Sequence, residues 1–595
     1  MRGALAAIGT AVGLAVAAML PAFPWAGPVA ADAAAAAGRP NVVVVMSDDQ
    51  TLEEMRFMPK TERLIGAAGA TFPTTVTNWP LCCPSRATFL TGQYAHNHGV
   101  LGNKEPLGGF AHLDSEHTLP VWLQRSGYYT IHIGKFLNGY ESSPVGVPPG
   151  WSDWHGSKVS YVYYGYRLWE LGREVQYGSS DEDPDAPADP GQYSTDVYTD
   201  KAVAAIAAQA PSSRPFFLSV AYLAPHSGGP ETAPPGRCAD TAKPAARDAG
   251  ALDGEPLPQP PSFNEADVSD KPGMIRALDP MAPPQIARVT RNYRCRGESL
   301  LAIDDGVKRI VDELRAQGEL ENTVIVYTSD NGFFHGEHRI RGGKARVYEE
   351  AIRVPLLIRG PGFPRGVEIV DEAVNADVTA TIVDVAGASS DFPLDGTSLL
   401  PYVRHPDRMH GRELLIEQDS PEGEDGEPRG AEYEAVRTNR WKYVRYWNGE
   451  VELYDLRHDP GELRSLHADP AYAAFVAARA RRPARLRDCA GDSCRKQPAL
   501  QLRLPGKVRK GGIRCRKPGD FVARVRQPRT PAAADLVRVS FRVAGSRSGT
   551  VRERPFKRKL RPSLLRSQRR PLIEADAELL DGRILTLHDR VRVCR

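Results

Sequence analysis

The chain has 595 residues, of which 41% are apolar and 25% charged, and this length suggests about three or four domains at ~150 residues each. These proportions are ordinary for a globular protein and exclude a collagen, a coiled-coil rod, a fully disordered chain and a polytopic membrane protein. The formal net charge of +3 conceals a division: residues 481–595 hold 32 Lys and Arg against 10 Asp and Glu, net +22, while residues 1–480 hold 44 against 63, net −19.

The chain begins with a single basic residue, Arg2, before an apolar run from Ala4 to Leu20 that Pro21 and Pro24 end. Small residues follow, with an Ala31-Asp32-Ala33 cleavage pattern, so residues 1–33 read as a secretory signal peptide. The alternative is an uncleaved anchor, since the run is near the lower length for a span. There is no twin-Arg pair, which points to export in the unfolded state, and the expected location is secreted or extracytoplasmic. In that compartment cysteines are expected to pair. Cys238 and Cys295 flank a Pro-rich excursion and are placed to close it, and Cys489, Cys494, Cys515 and Cys594 allow two bridges in the basic region. Cys82 and Cys83 are adjacent, a geometry that opposes a bond between them.

Asn41–Met46 is a continuous apolar run ending in Ser47-Asp48-Asp49, which reads as a buried parallel strand. Similar runs are Phe216–Leu223, ending in Ala224-Pro225-His226, and Thr323–Thr328, ending in Ser329-Asp330-Asn331-Gly332. A fourth, Val354–Ile358, ends in Arg359-Gly360-Pro361-Gly362. Helical patterns at about 198–210, 295–317 and 378–385 alternate with these strands and indicate an α/β domain with a mostly parallel sheet. Ligands bind such sheets beyond the carboxyl ends of the strands, where three of the four runs deliver Asp, Asn or His. Residues 228–284 read as a long surface excursion. Short strand-like runs at 414–418, 435–438, 442–447 and 451–455 indicate a small antiparallel subdomain, and 471–487 a helix leading out of it. Beyond Cys489 the alternation of Val537-Arg-Val-Ser-Phe-Arg-Val543 suggests a β-rich module, with disorder as its competitor.

Leu81-Cys82-Cys83-Pro84-Ser85-Arg86 precedes a helical stretch, Ala87–Gly92. A helix N-terminus and an arginine one turn from a cysteine together favour an oxyanion. Cys82-x-Pro84-Ser85-Arg86 followed by Leu90-Thr91-Gly92 resembles the sulfatase signature. Other segments resemble that family in order along residues 39–470: Arg39–Val43 with Asp48-Asp49, Ser329–Gly332, Tyr348–Pro355, and Glu452–Leu456 with Asp459-Pro460. Gly134-Lys135-Phe136-Leu137-Asn138 and Ala224-Pro225-His226-Ser227 look most like glucosamine-6-sulfatases, in which Leu137 replaces the histidine of many other members.

The resemblance implies an alkaline-phosphatase-like α/β sandwich and a sulfuric ester hydrolase. It implies that Cys82 is oxidised by a formylglycine-generating maturation enzyme, and that the aldehyde hydrate attacks sulfur and expels sulfate by collapsing back. It assigns a divalent ion, Ca²⁺ or alternatively Mg²⁺, to Asp48, Asp49, Cys82, Asp330 and Asn331, whose oxygens are hard ligands. It assigns Arg86 to holding that centre, Lys135 and Lys344 to sulfate oxygens, and His226 to protonating the departing alcohol. Asn138 is expected to take over a polar contact, while His96, His98, His335 and His338 are as readily structural as substrate-binding.

The expected substrate is a sulfated sugar of the glucosamine-6-sulfate type or an aryl sulfate. A phosphonate or phosphate monoester hydrolase of the same fold, and a non-catalytic protein binding anionic glycans, are the alternatives. The expected organisation is a catalytic domain at 39–403, an antiparallel subdomain at 404–487 and a basic Cys-containing module at 488–595. That module is expected to contact anionic glycan or cell envelope, with no nucleic acid as partner.

Overall fold

The computed structural model describes residues 38–595 except 160, 171, 179–191, 229–236, 240, 407, 419–431, 496–499, 505–507, 510–511, 514–516, 527–535, 567, 569, 580–582 and 594–595. The expected signal peptide, Cys515 and Cys594 lie outside the described residues. Among the described residues no helix is long and apolar enough to cross a membrane.

A ten-stranded sheet organises the chain. Its strands are β1 (Asn41–Ser47), β2 (Ala70–Thr71), β3 (Tyr129–Gly134), β4 (Asp153–Ser157), β5 (Tyr166–Glu170), β6 (Arg173–Tyr177), β7 (Phe216–Ala221), β8 (Thr323–Ser329), β9 (Leu356–Arg359) and β10 (Val367–Glu368). Their spatial order is β10-β2-β9-β8-β1-β7-β3-β4-β5-β6. The central five, β8-β1-β7-β3-β4, are parallel. The fourth predicted strand differs: β9 runs antiparallel to β8. The loop leaving β8 ends in a short helix, Glu349–Ile352, and the chain re-enters the sheet without the crossover that a parallel return requires. Its Arg359-Gly360 end therefore lies at the opposite edge from the ends of β1 and β8.

β1 explains why a run of valines makes the central strand. All seven residues are buried. Val43 and Val45 join one core with Ile303, Val307 and Ile310 of a long helix, while Val42 and Val44 join another with Ala87, Leu90 and Val378. A strand covered on both faces has no polar side. The long helix, Pro283–Ala316, starts earlier than its apolar periodicity indicated, because Pro283 and Pro284 open its first turn. The excursion before it is tied down by a Cys238–Cys295 disulfide.

The helix predicted at Ala87 begins at Cys82 and runs to Thr91, with every residue buried. Gly92 ends it at φ 65°, a left-handed C-cap that glycine adopts at low cost.

Strands 414–418, 433–437, 441–446 and 451–455 form a separate four-stranded antiparallel sheet in sequence order. The helix expected at 471–487 is two short ones, Ala473–Arg479 and Arg482–Arg487, with Pro483 opening the second. In the basic region, strands 546–551, 536–543, 572–579 and 584–590 pair in that order, and 501–503, 522–526 and 557–559 make a three-stranded sheet. Val539, Phe541 and Val543 alternate into their core. Of the four cysteines there, Cys489 bonds Cys494.

Candidate active site

The site follows from register. Ser47 pairs with Ser329 at the carboxyl ends of β1 and β8, so Asp48 and Asp49 emerge beside Asp330 and Asn331. Ala221 at the end of β7 pairs with Gly134 at the end of β3, bringing His226 and Lys135 to the same edge. Gly134 sits at φ 100°, and a Cβ there would lie 2.1 Å from the Ala221 carbonyl oxygen, so no other residue fits before Lys135. Asp49 itself adopts φ 67°, a left-handed conformation that is uncommon outside glycine and gathers at functional sites.

Cys82, fully buried at the first position of its helix, faces this edge. Its Sγ lies 3.5 Å from Asp48 Oδ1, 3.9 Å from Asp49 Oδ1 and 2.8 Å from Lys344 Nζ. Lys344 Nζ also donates to Asp49 Oδ1 at 2.6 Å. Arg86 spans two carboxylates: Nη2 is 3.2 Å from Asp48 Oδ2 and Nε is 2.8 Å from Asp330 Oδ2. Lys135 pairs with Asp48 and lies over the Tyr161 ring at 5.0 Å. His226 Nδ1 donates to the Ser227 carbonyl at 2.8 Å and its Nε2 is 3.6 Å from Asp49 Oδ2. All nine predicted residues are thus gathered at one edge of the sheet.

Three carboxylates in a dry site would oppose ionisation, but Arg86, Lys135 and Lys344 stand among them. Burial pushes the Asp48 carboxyl up, and Lys135, His226 and Arg86 together outweigh it, holding the group below the usual carboxylate value. The same carboxylates keep Lys135 and Arg86 charged although burial opposes it. Cys83 is the contrasting thiol: desolvation pushes it up to about 12. Its backbone N–H is held by Asn103 at 2.9 Å.

The donors suit a hard divalent ion. One donor atom from each of Asp48, Asp49, Cys82 and His226 lies within 4.8 Å of the others. Asn331 Oδ1 is buried without a hydrogen-bond partner, while its amide donates to Asp49 Oδ1 at 2.7 Å. An orphaned amide oxygen beside two carboxylates is what an oxygen-liganded cation satisfies. Asp330 is engaged otherwise: Oδ1 accepts the Asp49 and Asn331 backbone N–H groups at 3.0 and 2.8 Å, and Oδ2 takes Arg86.

Several supporting residues were not anticipated. Arg296, on the long helix and 1% exposed, donates to the carbonyls of Asp49 at 2.6 Å and Pro225 at 3.0 Å and pairs with Glu54 at 2.8 Å. Its only sequence signal was a position next to Cys295. Tyr161 stacks on His226 with centroids 4.9 Å apart, and Tyr163 donates to the His226 carbonyl at 2.7 Å. The aromatic run Tyr161–Tyr166 was the available sign. Asn138 donates to the Tyr161 hydroxyl. Of the four histidines left open, His96 meets Glu417, His98 meets Thr88, His335 meets Glu54 and His338 meets Glu265. A cavity of about 530 Å³ lies beside the site, lined by Glu53, Tyr293, Phe333, His335, Glu337 and Glu350 among others; Cys82, Lys135, His226 and Lys344 do not line it.

The parallel sheet with antiparallel margins and helices on both faces defines an alkaline-phosphatase-like α/β protein, with its charged cluster beyond the carboxyl ends of the central strands. The profile of the sulfatase family matches residues 40–388, and that of the N-sulphoglucosamine sulphohydrolase C-terminal region matches 336–488. The chain belongs to the sulfatase family. It is 33% identical over 369 residues to a putative extracellular sulfatase Sulf-1 homolog of Caenorhabditis elegans, a match covering 61% of this chain and 49% of that protein. The chain thus spans about half the length of that relative. It is 32% identical to the N-acetylglucosamine-6-sulfatase of Capra hircus over 78% of this chain and 86% of that protein. A structure solved with its substrate D-glucosamine-2-N,6-O-disulfate aligns with TM-score 0.60 at 24% identity, over 73% of this chain and 95% of that one.

Proposed function

We propose that the protein is an exported hydrolase of sulfate esters, acting on sulfated sugars of the glucosamine-6-sulfate type or on aryl sulfates. The observation that carries this reading is the position of Cys82: a helix start enclosed by Asp48, Asp49 and Lys344, with Arg86 one turn away. Cys82 matured to formylglycine would supply a hydrate of which one oxygen attacks sulfur; the other, on losing its proton to a base, re-forms the aldehyde as the C–O bond to sulfate breaks. A Ca²⁺ or Mg²⁺ held by Asp48, Asp49, Asn331 and the residue-82 side chain, with Asp330 beside them, supplies Lewis acidity for the sulfuryl oxygens.

The remaining chemistry belongs to this chain's own side chains. Lys135, paired with Asp48, and Lys344, beside residue 82, offer positive charge to the sulfate oxygens. Arg86 fixes Asp48 and Asp330 in place. His226 donates from Nδ1 to the Ser227 carbonyl, which leaves Nε2 as the ring atom facing the site and the one from which a proton would pass to the departing alcohol. Glu54 and Arg296 hold the Asp49 and Pro225 backbones. The names of the goat and worm relatives support the sugar class and export.

We further infer that 39–403 is the catalytic domain, 404–487 its antiparallel subdomain and 488–595 a polyanion-binding module. In that module Arg503, Arg524 and Lys557 stand side by side across three paired strands. Like charges directly opposite one another are destabilising in a sheet, and an anionic glycan or envelope polymer relieves that repulsion.

Mass spectrometry of the Cys82 peptide from native-host protein, with rates on matched aryl sulfate and aryl phosphate esters, tests the reading. An aldehyde at position 82 and faster sulfate turnover are expected. An unmodified thiol alone would rule out formylglycine catalysis, and a strong phosphate preference would reassign the enzyme to phosphate or phosphonate esters.

A further inference from the structure

A second group of metal-ligating atoms lies beyond the site, around His338 of the loop that follows Asn331. His338 Nε2, a Glu350 carboxylate oxygen and a Glu462 carboxylate oxygen come within 4.8 Å of one another. His338 is fully buried, and its Nδ1 is 2.7 Å from Glu265 Oε2. A carboxylate only accepts, so a proton sits on Nδ1 and Nε2 points inward; burial lowers the ring's pKa, but Glu265, Glu350 and Glu462 outweigh it and raise it, so Nε2 stands in negative surroundings that favour a second proton or a metal ion in its place. Nε2 has no hydrogen-bond partner and lies 3.8 Å from Glu350 Oε2, which has none either. The buried Nε2 and Glu350 Oε2 face each other across a gap that a metal ion, taking the place of a second ring proton, would fill.

Each donor is aimed by its other end. Lys271 fixes Glu265 at 3.0 Å, Ser262 Oγ donates to Glu350 Oε1 at 3.3 Å, and the Glu349 N–H donates to Glu462 Oε2 at 2.8 Å. Such supporting partners are what orient the ligands of metal sites. Lys442 stands against Glu462 Oε1, but it also donates to the Val347 carbonyl at 2.8 Å and lies 3.3 Å from Glu349 Oε1. It therefore keeps two partners when Glu462 Oε1 is shared. Glu350, its side chain 19% exposed, lines the cavity of about 530 Å³ together with Glu337 and Glu349. That cavity supplies an entry path and room for a water ligand.

We propose that His338 Nε2, Glu350 Oε2 and Glu462 Oε1 form a second divalent-metal site, of the zinc class, separate from the hard-oxygen cluster at Asp48 and Asp49. One imidazole and two carboxylates suit Zn²⁺ better than Ca²⁺, which takes oxygen ligands alone. Donors bound to zinc at ~2.0–2.1 Å stand roughly 3–4 Å apart, and the His338 to Glu350 separation of 3.8 Å falls in that range.

The test uses the full chain, stripped with chelator, saturated with excess Ca²⁺ to fill the hard-oxygen cluster, and titrated with ZnCl₂ by calorimetry. Zinc retained after desalting is counted by mass spectrometry. One Zn²⁺ per chain is expected, bound at least tenfold more weakly by His338→Gln and Glu350→Gln and equally by His117→Gln, a surface control. Glu350 is partly exposed, so Glu350→Gln keeps the test decisive should His338→Gln fail to fold. No zinc retained by the Ca²⁺-saturated protein, or equal affinity in folded Glu350→Gln, would overturn the proposal. The readout is metal content, independent of ester hydrolysis.

Discussion

At the scale of the residue, the site is a balance of buried charge. Lys344 touches both Asp49 and Cys82, so Lys344→Ala removes a positive charge from the point where the proposed function places the sulfate oxygens. The expected loss in kcat/KM on an aryl sulfate is ~10²–10³, with the circular dichroism spectrum retained; an unchanged kcat/KM would remove Lys344 from the machinery. Arg296 acts one step further out. It joins Glu54 to the carbonyls of Asp49 and Pro225, and burial makes Glu54 depend on it to stay ionised, its carboxyl held well below the usual range. Arg296→Met leaves that carboxylate with His335 at 3.2 Å as its neighbouring side-chain partner. The expected cost is about 3–5 kcal/mol of stability by urea unfolding, accompanied by reduced kcat. Arg296 was illegible in the sequence because it lies 247 residues from Asp49, and only the packing of the long helix under β1 brings it there.

At the scale of the element, strand ends carry function and strand pairs carry stability. The Val-rich β1 and the apolar β7 and β8 were legible because a strand covered on both faces needs an unbroken apolar run. The direction of β9 was not, since an apolar run reads alike in both directions. The Cys238–Cys295 bridge closes a separation of 57 residues, worth about 4 kcal/mol in chain-entropy terms, and it lies next to Arg296. On β4, His155 stands between Asp153 at 3.2 Å and Glu170 at 2.9 Å. Desolvation lowers its pKa, but the hydrogen bonds to Asp153 and Glu170 outweigh this and raise it to about 9. A raised folded-state value means that the contribution is full below the ordinary imidazole value near 6.5 and is lost as pH rises through about 9. The stability gap between the wild type and His155→Gln is therefore expected to be widest near pH 6, at roughly 2 kcal/mol, and to close by about pH 9. A gap independent of pH would show that the imidazolium contributes nothing.

At the scale of the whole molecule, the acidic part and the basic part are joined at specific points. Cys489 O accepts from Asn97 at 2.9 Å, Gly491 N–H donates to Asp395 at 2.6 Å, and Arg583 lies 3.5 Å from Glu413. A cut at 488 would take the Gly491 N–H from Asp395 and the Cys489 carbonyl from Asn97, so the informative truncation ends at 495, beyond the Cys489–Cys494 bridge. Glu413 keeps Arg479 at 2.9 Å and its pairing with Arg482 in that variant. The truncated protein is expected to hydrolyse a small aryl sulfate at near wild-type rate and to elute from heparin at much lower salt. Equal losses in both would show that residues 496–595 complete the fold rather than bind polyanion.

The sequence by itself determined the class of fold and the family resemblance, and through that resemblance it singled out nine residues that the structure gathers at one edge of the sheet, because strand ends and a helix start are local features with local signals. It also located the split between net −19 and net +22. Tertiary structure alone decided which ends meet. The Ser47–Ser329 register sets Asp48 beside Asp330, and no residue near either one encodes that pairing. It decided that Asp330 spends its carboxylate on Arg86 and two backbone N–H groups while the Asn331 oxygen is left open. It also set His338, Glu350 and Glu462 around a common point. Those contacts span 112 residues between Glu350 and Glu462, and their cost or gain depends on distance and burial, which only the folded chain defines.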